Sequence, residues 1–130
     1  MSGLGGFLAA GRAAAEELME DACRIERVGE STASAAGVDT APATVIYEGR
    51  CRVRPTARAV STDPTGQAPT ETWQYTVSVP VSVVGVRAYD VVEVAGSADP
   101  SLKGLRLRVR SVGRGTHITA RRLGCVEVSR

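Results

Sequence analysis

The stretch Val86–Leu123, VRAYDVVEVAGSADPSLKGLRLRVRSVGRGTHITARRL, decides the fold. Val91, Val92 and Val94 carry a first strand-like run, which Ser97-Ala98-Asp99-Pro100-Ser101 and Gly104 break. Leu105, Leu107 and Val109 then alternate with Arg106, Arg108 and Arg110. Gly113 and Gly115 interrupt the chain again before His117–Leu123. Period-two alternation bounded by Gly, Pro, Asp and Ser marks half-buried antiparallel strands. The stretch therefore predicts three strands joined by two turns, with three arginines on one face of the middle strand.

Outward from there, Gly124–Arg130 is expected to add a last edge strand through Cys125, Val126 and Val128. Glu71–Val84 reads as a strand in which Trp73, Tyr75, Val77 and Val79 alternate with Thr72, Gln74, Thr76 and Ser78, and Pro80 marks an edge or strand end. Thr44–Arg54 holds the β-favouring run Val45-Ile46-Tyr47, then Gly49 as a candidate bulge. In its second half Arg50, Arg52 and Arg54 alternate with Cys51 and Val53, a second arginine ladder. Like charges on neighbouring strands repel, so two ladders sharing a face would need an acidic neighbour or phosphates to offset them.

Between these strands, Pro55–Thr70 is rich in breakers, and long loops inside compact domains are functional or disordered. With strands on both flanks it predicts a protruding hairpin. Gly29–Ala43 reads as a polar loop or arm, and Ala22–Val28 as a short strand with Cys23 and Ile25 on one side. Phe7–Asp21 is rich in Ala, Glu and Leu and predicts a helix with a narrow stripe through Leu4, Leu8, Gly11, Ala15, Leu18 and Ala22. Glu16, Glu17, Glu20 and Asp21 crowd its C-terminal end, against the helix dipole. They are candidates for contact with a basic partner, or acids standing in water.

A length of 130 residues fits one domain, with the helix at about 7–21, a β region at about 44–128 and the long loop at about 56–70. The apolar fraction is 43%, drawn from Ala and Val more than from aromatics. The expected fold is mainly β: a small antiparallel barrel or sandwich with one N-terminal helix. Met1–Glu48 holds three Arg against eight acids, net −5, and Gly49–Arg130 thirteen bases against six acids, net +7. Such asymmetry fits head-to-tail contact between copies, contact with a polyanion, or two solvated faces.

No specific catalytic chemistry is visible. The three cysteines, Cys23, Cys51 and Cys125, are far apart and form no zinc spacing, and His117 is the only histidine. Buried free thiols are expected. There is no GxSxG elbow, phosphate-binding loop or dinucleotide fingerprint. Asp99-Pro100 is turn chemistry, and Asp90 is expected to open its strand. No metal or cofactor is expected, nor a secretion signal or membrane span; an odd cysteine count then fits a reducing cytoplasm. Nucleic-acid binding remains open through Arg50, Arg52, Arg54, Arg106, Arg108 and Arg110, since guanidinium groups bind phosphates bidentately. Neither ladder interleaves an aromatic, so such contact would be backbone-only.

The run Tyr89-Asp90-Val91-Val92-Glu93-Val94, then Asp99-Pro100-Ser101-Leu102-Lys103-Gly104, Val109 and Val112, resembles the head-to-tail connector proteins of tailed phages and prophages of actinobacteria, called head-closure or stopper proteins. Thr119-Ala120-Arg121-Arg122-Leu123, the N-terminal helix and Glu48-Gly49-Arg50-Cys51 fit the same pattern. The resemblance implies a non-enzymatic virion protein, made in the host cytoplasm. It implies a barrel that forms a ring of its own copies below the portal and adaptor, closes the DNA channel and offers the tail a platform. It further implies a channel-gating loop at Ala57-Arg58-Ala59-Val60-Ser61-Thr62-Asp63-Pro64-Thr65-Gly66-Gln67-Ala68-Pro69-Thr70, nearly neutral and so a steric obstacle to DNA. The arginines then become assembly surfaces or backbone contacts to genomic DNA. A tail-completion or tail-terminator role is the neighbouring alternative.

Overall fold

Side-chain parity builds the wall of the molecule. The structure, a computed structural model, describes residues 3–29, 32–33, 39–40, 43–56 and 74–128. In chain order the elements are α1 (Gly3–Glu17), β1 (Asp21–Val28), β2 (Thr32–Ala33), β3 (Asp39–Thr40), β4 (Ala43–Pro55), β5 (Tyr75–Val79), β6 (Val91–Gly96), β7 (Arg106–Val112) and β8 (Arg121–Glu127). Six strands close into an antiparallel barrel in the order β1-β4-β5-β8-β7-β6, with β1 pairing back onto β6. β2 and β3 form a separate two-stranded ribbon between β1 and β4. The expected architecture is the one observed, and its form is the barrel.

Inward positions fill the interior with Ile25, Val77, Val79, Val92, Val94, Leu107, Val109 and Leu123, all fully buried. On β7 burial alternates strictly from Arg106 to Arg110, with Leu107 and Val109 inside. Each such aliphatic side chain stabilises the fold by roughly 1.5–3 kcal/mol. Cys23, Cys51 and Cys125 are free thiols within the same core. A hydrogen bond with Cys23, then burial, pushes the Cys51 thiol far above its usual range, and burial pushes Cys125 up to about 12.

The structure corrects several local expectations. α1 begins at Gly3 and ends at Glu17, so Glu20 and Asp21 are not helical. A tight turn, with Leu18 N–H donating to Ala15 O at 3.2 Å and Met19 N–H to Glu16 O at 3.0 Å, draws Met19 into the barrel. The irregularity between β1 and β4 falls between Ile25 and Glu26, whose partners are Tyr47 and Val45. Ile46 is thus the extra residue, and Gly49 pairs regularly with Cys23. Gly49 has another reason: a Cβ there would stand 2.7 Å from the Tyr47 hydroxyl oxygen.

The strand expected from His117 starts at Arg121. His117 takes φ 63° in a turn, and the next residues lean on α1: Arg12 Nε–H donates to Ile118 O at 3.1 Å, and Thr119 touches Gly11. Nor is there a separate edge strand after Gly124. β8 runs unbroken through it and pairs on both sides, with β5 and with β7. β5 is shorter than expected and stops before Pro80, which opens a turn. Trp73 and the long loop at 57–70 lie outside the described residues.

The Asp99–Gly104 turn follows its chemistry. Asp99 Oδ1 accepts from Ser101 N–H at 3.0 Å and Ser101 Oγ–H at 2.7 Å, which holds the carboxyl below its ordinary range. Gly104 takes φ 84°, a conformation that costs other residues about 1 kcal/mol or more.

Urea unfolding should show Leu107→Ala losing about 2–5 kcal/mol, and Phe7→Ala, at a residue 81% exposed, less than about 0.5. The raised thiols make a second prediction. The folded state keeps them protonated where the unfolded chain would ionise them. Stability is thus complete below the unfolded thiol pKa of about 8.5 and falls as pH rises above it. Cys125→Ala should flatten that alkaline decline in urea midpoints taken from neutral pH upward.

Candidate functional site

The closed order fixes where the arginines lie. β4 and β7 are three strands apart by either route round the barrel, so Arg50, Arg52 and Arg54 face away from Arg106, Arg108 and Arg110. The two ladders do not share a face and need no common counter-charge. On the β7 side, register sets exposed Glu48, Arg24, Glu93 and Arg106 in one row across β4, β1, β6 and β7, with signs alternating. Opposite charges directly across strands stabilise such a row. Arg24 also pairs with Glu26 at 2.8 Å. Arg110 sits over the Tyr89 ring, 5.9 Å from its centroid.

On the other side, Arg52 and Arg122 flank the buried Ser78 on β5. Arg122 is a member of this basic band that sequence reading did not select. Its parity beside the inward Leu123 was the available signal, hidden by the expectation of a break at Gly124.

Two aspartates tie β1 to its neighbours, one at each end of the barrel. Asp21, first residue of β1, accepts from Val53 N–H of β4 at 2.9 Å and from Ser97 Oγ–H after β6 at 2.6 Å. It is therefore engaged internally. At the far end, Asp90 is 2% exposed and receives Arg27 through two bonds of 3.0 Å, Nε to Oδ1 and Nη2 to Oδ2. Arg27 Nη2 also donates to Gly85 O at 2.8 Å, and Arg87 N–H to Asp90 Oδ2 at 2.8 Å. Asp90 does precede β6, and it is also the anchor of a polar cluster. No local pattern signals this, because its partner lies 63 residues away.

Of the acidic candidates, Glu17 and Glu20 are exposed, Glu16 is half-buried and Asp21 is bonded as described. Glu20 and Asp21 line a cleft of about 510 Å³ with Arg52, Arg54, Asp99 and Leu102 among its walls. Features far apart in the chain thus meet at one end of the barrel, with both signs of charge present. Among the described residues no group of three His, Cys, Asp or Glu could hold a metal ion. No described helix is long and apolar enough to cross a membrane.

The surface carries another feature without a sequence signal. Leu4 and Phe7 stand exposed along α1 and Leu18 in the turn after it, and Val84 and Tyr89 stand exposed beside the Arg27–Asp90 pair, Tyr89 at 69%. Tyr89 takes φ 74°, an uncommon conformation for an aromatic residue. Its backbone is held by donation to Val109 O at 2.7 Å. Strain of this kind, at about 1–3 kcal/mol, persists where surrounding structure imposes it.

Removing Asp90 should be costly because three donors lose their acceptor. Urea unfolding of Asp90→Ala should show a loss of about 1.5–3 kcal/mol. Arg27 reaches solvent in part, which keeps the cost below that of breaking a wholly buried pair. Adding Arg27→Ala to that variant should change little further.

No curated protein and no solved structure matches this chain. A family profile does, across residues 11–126. That span takes in the second half of α1, all the barrel strands and both aspartate clamps. The chain belongs to DUF6093, a family of unknown function.

Proposed function

We propose that the chain is a structural protein of the phage head–tail connector. Copies assemble as a ring below the portal and adaptor, close the DNA channel and give the tail its platform. One observation carries the assembly part of this reading. A chain with a complete interior core leaves Leu4, Phe7, Val84 and Tyr89 in solvent. Large exposed apolar side chains rimmed by charge mark interaction surfaces. The connector part rests on the resemblance around Tyr89–Val94 and Asp99–Gly104, whose expected architecture is the fold observed.

The bonding of two carboxylates supports a structural role as well. Asp21 and Asp90 spend their oxygens on backbone and side-chain donors of the barrel. Nucleic-acid binding is the second reading, favoured by the Arg52–Ser78–Arg122 band. It would run through one side of the barrel, since the ladders face apart. A tail-completion role would use the same assembly surfaces.

Electron microscopy of particles lacking the protein tests the proposal. Such particles should lose packaged DNA and fail to join tails; full heads with normally attached tails would sink it. Salt-dependent DNA binding by the isolated chain would instead favour the second reading.

A further inference from the structure

Among the described residues, two exposed apolar patches carry opposite charge. The first is α1 and the turn after it, where Phe7 of the helix and Leu18 of the turn stand exposed beside the exposed Glu17 and Glu20. Its one base, Arg12, is bonded to Ile118 O, so the free charges at that end are acidic. The second is the rim around Tyr89 and Val84, where the exposed Arg87 supplies positive charge and Arg110 lies over the Tyr89 ring. α1 touches Thr119 and Ile118 just ahead of β8 and brings Glu16 near Tyr47 of β4. Tyr89 instead bonds to β7, the strand opposite β4.

We infer that the α1 patch of one copy docks on the Tyr89 rim of the next. The inference rests on the ring-assembly reading above and names the surfaces that would build the ring. Each patch supplies what the other lacks: an apolar stripe with acids against an apolar rim with arginines. Because the two patches differ, the contact is heterologous. Such contacts propagate head to tail and close when the rotation permits. Tyr89 fits an anchor role. Its left-handed backbone and the Arg110 guanidinium hold the ring outward as a rigid aromatic, the residue type that dominates interface energetics.

Cysteine cross-linking of the full chain tests this without touching the anchors. Ala14 and Ala88 are exposed, one on α1 and one beside Tyr89, and the three native thiols are buried. Chains carrying Ala14→Cys and Ala88→Cys are mixed at millimolar concentration and oxidised mildly. The mixture should yield covalent dimers well above either chain alone. Tyr89→Asn, which suits the left-handed backbone, or Phe7→Ala should cut the yield about tenfold, a change of ~1.4 kcal/mol, with the urea midpoint unchanged or raised. Glu17→Arg should also cut it, and Arg87→Glu on the partner chain should restore it. A mixture that cross-links no better than its components overturns the pairing. If microscopy nevertheless shows rings, the ring reading stands and only these faces are wrong; if particles lacking the protein behave normally, the ring reading itself fails.

Discussion

Closure of the barrel through β1 is the constraint on which the rest depends. β1 is the strand that joins the two ends of the sheet, pairing with β4 on one side and β6 on the other. Each of its two ladders carries an irregularity, between Ile25 and Glu26 against β4 and between Ala22 and Cys23 against β6. Asp21 fastens its start to β4 and to the turn after β6. Arg27 and Asp90 fasten its end to the segment before β6. Burying Asp90 is tolerable because every donor around it is aimed at its two oxygens; an unpaired carboxylate there would carry the full desolvation cost. The small core gains its uniqueness from these two polar fastenings as much as from its valines.

Closure also decides the electrostatics. An open sheet would have allowed the two arginine ladders to meet on one face. The six-strand cycle sets them on opposite sides: the β7 ladder has Glu93 across from Arg106 and the Tyr89 ring under Arg110, while the β4 ladder lies beside Ser78 and Arg122. The basic half of the chain is therefore spread over both sides of one barrel.

What was legible in the sequence was local. The alternation of Leu107 and Val109 with arginines needs only neighbouring residues to be read, and so does the Asp99–Gly104 turn, whose bonds span two residues. Element ends were less legible, because contacts from elsewhere decide them. α1 stops where Met19 is drawn into the core, and β8 starts only after Ile118 and Thr119 have met the helix. Gly124 reads as a breaker, yet it sits buried between two partners that leave the strand no freedom to turn. Least legible were Asp90 and Tyr89. Their roles depend on Arg27, brought to Asp90 across the β1–β6 pairing, and on Val109, brought to Tyr89 across the β6–β7 pairing. The antiparallel strands were readable from periodicity, which left barrel and sandwich both open, while closure and the candidate surfaces depend on strand order, which periodicity does not encode.

The irregularity in β7 has a consequence for how this strand can change. Between Val109 and Ser111 the pairing with β8 shifts, so Arg110 is the supernumerary residue and Val112 faces Leu123 again. Inward positions are therefore three apart across this point and two apart below it. The strand is divided into two phases that do not share a register. A length change above Arg110 can be absorbed there without turning Leu107 and Val109 outward or the arginines inward. Beyond that point Ser111, Val112 and Gly113 are tied to β8 again through Gly124, Leu123 and Arg122 O, so the two phases meet at Arg110 alone.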